Sequence, residues 1–302
     1  MKTKGTTGNG VLLLILLIGL ASAIGLSRWL DAHRPPVDTK IQEEQLYLNG
    51  ATARRISLGF NGLAADWYWM RALQYVGHKI IDVPDNIPID NLAQLNLKLL
   101  APLLDTATTL DPQFMEPYQY AAVVLPDIDP DEAIRITKKG IAANPTAWRL
   151  YQHLGYIYWQ QKNYQAAGEA YDQGSKQPGV PAWMLAMKAK MAAEGGSRDV
   201  AREIYGRMYE QAEDGLVKDM AKHRLMQLDS LDQQDELRKI LSAVQSRVGR
   251  CPTTWKEIEP VLRALRWKLD SAGAPLDPAD TAYILSADCK VAVDPKSKVP
   301  RR

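Results

Sequence analysis

Hydrophobic positions along the 302-residue chain fall into three patterns. From Val11 to Leu26 they are continuous (VLLLILLIGLASAIGL) and uncharged; from about residue 57 to 249 they recur at helical spacing; beyond 250 one helical face gives way to short strand-like runs. At 1.5 Å per residue the first run spans about 24 Å, and about 30 Å with Trp29 and Leu30, just enough to cross a bilayer. Two readings stand. Residues 11–30 are either a retained transmembrane signal anchor behind a tail (1–10) holding Lys2 and Lys4, or a secretory signal cleaved after Ala21-Ser22-Ala23. The anchor is preferred, because apolar residues continue through Ile24, Gly25 and Leu26 and end at Arg28-Trp29, a cation and an aromatic suited to the interface. Lys2 and Lys4 nearly balance Arg28, Arg34 and Lys40, so the positive-inside rule decides little. A short tail held in the cytoplasm is the commoner outcome, which places the bulk of the chain outside it. Residues 31–56, with Pro35-Pro36 and no apolar period, read as a linker.

In the second region several residues recur at a spacing of 34: Ala133, Ala167 and Ala201; Ala121, Gly155 and Ala189; Tyr171 and Tyr205. Antiparallel helices approach closely only where small residues sit at the crossing, with larger aromatics filling the gap to the next pair. In the middle unit Leu154-Gly155, Tyr158, Tyr164, Ala167, Tyr171 and Pro178 fall close to where a tetratricopeptide repeat (TPR) carries Leu-Gly, Tyr, an aromatic, Ala, an aromatic and Pro. The region therefore resembles the TPR family. Helix–turn–helix units are expected at 114–147, 148–181 and 182–215 within an array over 57–249. The first has Ala121, Ala133, Gly140 and Pro145 but an irregular turn from Pro126 to Pro130, and the third lacks the Leu-Gly pair. Residues 216–249 are expected to be a further helical pair acting as a cap, and Leu92–Leu110 a helix of a degenerate unit over 80–113.

Ahead of the array, Leu58-Gly59, Ala65-Asp66, Trp69, Arg71, Gln74-Tyr75 and Gly77 occur at the spacings found in bacterial membrane-anchored TPR proteins, which this segment resembles. Leu63, Trp67, Met70 and Leu73 make one apolar helical face while Tyr68 and Trp69 point elsewhere, so both sides of that helix need cover. Either linker and array enclose it, or Trp69 meets a partner. Beyond residue 250 a helix is expected from Thr254 to Leu269, with Trp255, Ile258, Leu262, Leu265 and Leu269 on one face, followed by a hairpin of Tyr283–Leu285 with Lys290–Val293. This module over 250–302 is similar to the Asp-Pro-then-Tyr endings of related repeat proteins, with Ala279 where those have Gly. Cys251 and Cys289 either staple the hairpin to the helix, a closure worth about 3–4 kcal/mol, or are two separate thiols.

Composition narrows the chemistry. Thirty-seven Lys plus Arg against 35 Asp plus Glu leave a net charge of +2, which lacks the basic footprint that nucleic-acid binding requires. Two cysteines and the scattered His33, His78, His153 and His223 form no zinc or redox spacing, and phosphate-loop, nucleophile-elbow and zincin motifs are absent, so neither metal, cofactor nor catalysis is expected. Asp127, Asp129, Asp131 and Glu132 read as a turn and helix start rather than a calcium loop, which would need a central Gly and a terminal Glu.

What the TPR resemblance implies is a concave surface formed by the first helix of each unit. Its lining would include Met115, Tyr118 and Ala122, then Arg149, Gln152, Tyr156 and Trp159, then Trp183 and Lys190. Tyr118, Ala122 and Gln152 stand where arrays that clamp a C-terminal carboxylate use Lys, Asn and Arg, so that function is not carried over. The fold expected is an all-α, TPR-type helical-hairpin solenoid behind a single transmembrane helix, with a small α+β C-terminal module. The function expected is a bacterial inner-membrane, periplasm-facing scaffold that binds a protein partner or helps assemble a membrane complex. A permanent accessory subunit of a respiratory, photosynthetic or secretion complex, and an enzyme with its site in the C-terminal module, are the alternatives.

Overall fold

The computed structural model of the chain describes residues 6–33, 48–81, 83, 92–286 and 288–301, with side chains in the first helix described from Leu14 to Leu30. The expected tail lies partly, and the linker mostly, outside the described residues. The chain divides into two compact units between Asn49 and Gly50. The first contains α1 (Thr6–Ala32), 27 residues and about 40 Å long. Leu14, Ile15, Leu16, Leu17, Ile18, Leu20, Ile24 and Leu26 are all exposed on it. Among the described residues no helix is long and apolar enough to cross a membrane.

The second unit is mostly helical, with one two-stranded sheet. It comprises α2 (Gly50–Ile56), α3 (Asn61–Ile81), α4 (Leu100–Leu110), α5 (Met115–Val124), α6 (Pro130–Ala143), α7 (Trp148–Gln160), α8 (Tyr164–Ser175), α9 (Trp183–Glu194), α10 (Arg198–Gln211), α11 (Gly215–Val248), α12 (Glu259–Ala264), β1 (Ile284–Leu285) and β2 (Val291–Ala292). The pairs α5/α6, α7/α8 and α9/α10 fall inside the three 34-residue segments. From α3 to α11 each helix packs on its sequence neighbours. The six small residues expected at helix contacts, Ala121, Ala133, Gly155, Ala167, Ala189 and Ala201, are buried.

Their smallness is required by what lies against them. A Cβ on Gly155 would stand 2.8 Å from the Tyr171 ring, one on Gly140 2.8 Å from the Tyr118 ring and 3.0 Å from Leu150, and one on Gly174 2.7 Å from Tyr151 Cβ. Helix starts are fixed locally: Asp129 Oδ1 accepts the Glu132 amide at 3.1 Å and Asn163 Oδ1 that of Ala166 at 3.2 Å. The acidic run from Asp127 thus opens α6.

Four expectations need correction. The body begins at Gly50 rather than residue 57, because α2 docks on α4 with Gly50 so close to Thr109 that a Cβ would lie 2.5 Å from its side chain. The helix expected over Leu92–Leu110 is a 3-10 turn (Leu92–Leu95) followed by α4, since Asn96 takes a left-handed conformation (φ 50°) and Pro102 belongs in a first turn, where no amide is needed. Residues 216–249 form one helix of 34 residues rather than a pair. No Gly or Pro interrupts residues 216–248; Asp214 Oδ1 caps the start through the Leu216 amide at 2.8 Å, and Gly249 (φ 76°) ends the helix. The helix expected over Thr254–Leu269 shrinks to α12 behind a turn at Trp255–Glu257, because Pro260 cannot sit inside a longer helix and Arg266 turns left-handed (φ 61°).

The N-terminal half of α11 packs on α10 through Ala221 and Leu228 against Ile204, Tyr205 and Met208. Its C-terminal half carries Leu237 and Leu241 into a separate core with Trp255, Ile258, Leu262, Tyr283 and Val291. Tyr283 hydroxyl meets Ser230 Oγ at 2.8 Å, and Trp255 Nε1 donates to Tyr283 O at 2.7 Å. The hairpin is antiparallel, pairing Ile284 with Ala292 and Leu285 with Val291, and Cys251 is disulfide-bonded to Cys289. The Asp-Pro turn does not need the missing glycine. Buried Asp277 accepts the amides of Ala279 (2.8 Å) and Thr281 (2.9 Å), and the left-handed position falls on Asp280 (φ 62°).

Carboxylates join packed helices. Asp105 of α4 accepts from Lys139 (3.0 Å) and Arg135 (2.9 Å) of α6, Asp172 of α8 from Lys188 (2.7 Å) of α9, and Asp232 of α11 from Arg198 (2.7 Å) of α10. Burial opposes the ionisation of all three, yet the cationic hydrogen bonds hold each carboxyl below its ordinary value of 3.8.

Gly140→Ala gains up to about 1 kcal/mol of helix propensity but forces a methyl into the Tyr118 ring at a cost of about 1–3 kcal/mol, so its urea midpoint falls. Gly206→Ala in α10, where a Cβ meets nothing within 4 Å, raises it. The depressed carboxyls contribute stability that is fully present above 3.8 and lost as pH falls through their folded-state values. The midpoint should therefore fall modestly as pH drops below 6.5, where the unfolded chain protonates His153 more readily than the folded one, and more sharply below about 4, less steeply there in Asp172→Asn.

Candidate functional site

On α7, residues 148, 149, 152, 156 and 159 fall on one stripe, because they lie within about 100° of one another at 3.6 residues per turn. Trp183, Met187, Lys190 and Glu194 make the matching stripe on α9. Side chains join the two. Trp159 Nε1 donates to Glu194 Oε2 at 2.7 Å, Lys190 Nζ stands 4.2 Å over the Trp159 ring, and Lys190 pairs with Glu194 at 3.7 Å. Tyr156 lies edge-on to Trp159 at 5.9 Å and is 45% exposed.

A second cluster sits about 12 Å along α7, at the other end of the stripe. Trp148 and Trp183 meet edge-to-face at 6.0 Å, and the Arg149 guanidinium lies 4.6 Å over Trp148. Trp183 is 40% exposed, Arg149 is exposed, and Gln152 is half-buried between the clusters. The structure thus brings Arg149, Gln152, Tyr156, Trp159, Trp183 and Lys190 onto one surface. Its chemistry is that of a binding face: aromatic area, a cation over Trp148 and another over Trp159, and amide and carboxylate groups at the edges. Half-buried His153 lies off the stripe, and its pKa is pushed down by burial.

Tyr118 is not part of this face, contrary to expectation. It is fully buried, its ring lies on Gly140, its hydroxyl donates to Thr108 O at 3.4 Å, and burial pushes its pKa to about 12. Ala122 is buried with it, and Met115 half-buried. The cause is a one-residue slip. The 34-residue register pairs Tyr118 with Gln152, but α5 and α7 start 33 residues apart, at Met115 and Trp148, so Tyr118 occupies the place of buried Tyr151, which lies against Gly174 as Tyr118 lies against Gly140. One residue is about 100° of rotation, enough to turn a surface position inward.

Sequence reasoning missed Glu194 and Trp148. Glu194 carried a signal, standing 35 residues from Trp159 at the end of the neighbouring first helix. Trp69 is half-buried in α3, edge-on to Phe114 at 6.3 Å and Tyr120 at 5.3 Å, which is the enclosed arrangement. The face expected to be apolar and covered is the exposed one: Leu63 is 71% exposed and Trp67 and Met70 each 52%, while Ala65, Tyr68, Ala72 and Val76 pack inward. Among the described residues no group of His, Cys, Asp or Glu is placed to hold a metal ion. No family model and no curated protein matches the chain.

The two tyrosines separate core from surface. Tyr118→Ala should cost about 3–5 kcal/mol by chemical denaturation, as for other large aromatic truncations, whereas Tyr156→Ala should stay within about 0.5 kcal/mol of the parent. Equal losses would place Tyr156 in the core.

Proposed function

We propose that the protein is a membrane-anchored TPR-type scaffold whose α7/α9 face captures a segment of a protein partner, and that it acts by holding that partner rather than by catalysis. The observation that carries this reading is the braced Tyr156–Trp159–Lys190–Glu194 cluster beside Trp148, Arg149 and Trp183. Aromatic groups fixed by neighbours and still half-exposed are the usual anchors of protein–protein recognition. An apolar helix or extended segment with an acidic or polar edge would match this mixture of indoles and cations. The TPR reading is supported by the second helices α6, α8 and α10, which start 34 residues apart, and by the small residues buried at helix contacts.

The anchor rests on the uncharged run Val11–Leu26, its place within a 27-residue helix, and the exposure of apolar side chains around that helix. On this reading α1 crosses a bacterial inner membrane and the body lies on the periplasmic side, where the Cys251–Cys289 disulfide is compatible with the redox conditions. The partner is then a subunit of a membrane complex or an exposed segment of one.

Pull-down of the tagged full-length chain from membranes in gentle detergent, with mass spectrometry of the eluate, tests this. A defined partner should appear, and Tyr156→Ala with Trp159→Ala should abolish its capture while the far-ultraviolet helical signal is kept. Unchanged capture by the double variant would sink the assignment of the face. Recovery of the same partner at the same yield after deletion of residues 1–30 would remove the anchor from binding, and association that survives salt and detergent would mark a permanent subunit.

A further inference from the structure

We propose that the outward face of α3, together with the turn that precedes it, is an interfacial surface that lies in the headgroup–acyl boundary of an anionic lipid bilayer. The helix is apolar on both sides. Its inner side is closed by small residues, Ala65 and Ala72, packed along α4, whereas Leu63, Trp67, Met70 and Ile81 project on the opposite side. The turn between α2 and α3 extends that surface: Leu58 is 85% exposed, Phe60 71% and Ile56 58%. Leu58 sits in the left-handed region (φ 50°) beside Gly59 (φ 93°), a strained place for a leucine and one that projects it into solvent. An apolar ridge of this extent on a folded body marks a surface with a partner.

Charge selects lipid. Residues 50–81 carry Arg54, Arg55, Arg71 and Lys79 against the single acid Asp66, whereas the whole chain nets only +2. The local excess of cations is what an anionic headgroup layer attracts. Arg71 lies 5.7 Å over the Trp67 ring, joining the two residue types that favour the water–lipid boundary. An apolar stripe with cations beside it and an indole between them is the composition of a helix that lies in the plane of a bilayer.

The covalent chain adds a third argument, which rests on the anchor reading above. Residues 33–49 are all that separate α1 from α2, and fully extended they reach about 60 Å. A membrane-held α1 therefore keeps the α2–α3 turn within reach of the same bilayer, at a high effective concentration.

The test uses the full-length chain in vesicles of phosphatidylglycerol and brominated phosphatidylcholine in equal parts. Both native cysteines are held in the disulfide, so an introduced thiol is the one that takes a fluorophore. Labels are placed at Phe60→Cys and Leu63→Cys, at Leu17→Cys to read the anchor, and at Val200→Cys on exposed α10 as the control. Bromine should reduce emission at 60 and 63 to half or less of that in unbrominated vesicles, and leave 200 unchanged. Unquenched labels at 60 and 63 overturn the proposal whatever position 17 reports, and an unquenched label at 17 overturns the anchor alone. Shielding of 60 and 63 from aqueous iodide without quenching by bromine would mean that a protein covers the ridge, which also overturns the proposal. Equal quenching in phosphatidylcholine alone, or in Arg54→Gln/Arg55→Gln, would refute the anionic selectivity.

Discussion

The contact on which α5 to α9 depend is an aromatic ring, or the root of one, laid on a residue that has no side chain. Tyr118 on Gly140, Tyr171 on Gly155 and Tyr151 against Gly174 set how closely consecutive helices approach. Each tyrosine then carries a large apolar area into the gap between helices. Backbone carbonyls receive the hydroxyls of several of the buried tyrosines: Tyr118 donates to Thr108 O, Tyr151 to Pro145 O at 3.0 Å, and Tyr205 to Ala186 O at 3.1 Å. Burial raises Tyr118, Tyr171 and Tyr205 to about 12, so these contacts stay uncharged throughout the ordinary pH range. What responds to acid is the separate set of carboxylates that cross-link α4 to α6, α8 to α9 and α10 to α11, together with half-buried His153.

The long α11 follows from a different constraint, since it must complete the helical pairs and also found the C-terminal module. Its 34 residues amount to about 51 Å. A break at the middle, as in a helical pair, would have separated Leu228 on one core from Leu237 and Leu241 on the other. An uninterrupted helix transmits position between the two cores. The module adds Trp255, Tyr283 and the disulfide to a surface that α11 already provides, which is why so little regular structure of its own is needed there.

Legibility in the sequence tracked how strictly a spacing was imposed. The small residues 34 apart could be read because close helix contact leaves no choice at those positions. Tyr118 could not, because one residue lost between helix starts leaves the composition unchanged and rotates the side chain inward. The helix over 254–269 was overextended for a related reason: Trp255, Ile258 and Leu262 do share a buried face, but periodicity reports a face and not the continuity of the backbone that presents it. In α3 the pattern shows two apolar sides and calls for cover on both, whereas the tight crossing with α4 encloses Ala65 and Ala72 and leaves Leu63, Trp67 and Met70 outside. Of the candidate site, the stripe on α7 and α9 was readable from helical spacing, and its bracing was not, because Trp159 and Glu194 meet only in three dimensions.

The two exposed aromatic surfaces of the body differ in a way that bears on what each can hold. On α7 and α9 the indoles are fixed: Trp159 by a hydrogen bond and a cation, Trp148 by Trp183 and Arg149. A surface ordered before binding loses little conformational entropy when a shaped partner arrives, which favours a defined polypeptide segment. On α3 the exposed Leu63 and Met70 offer aliphatic area without hydrogen-bonding groups, and the Trp67 ring meets Tyr68 and Arg71 of its own helix. A partner with a fixed shape would gain little specificity from such area. A fluid phase needs only apolar area at the right depth and cations at its rim, and it is indifferent to side-chain order. The same residue types thus point to two kinds of occupant, distinguished by how their neighbours constrain them.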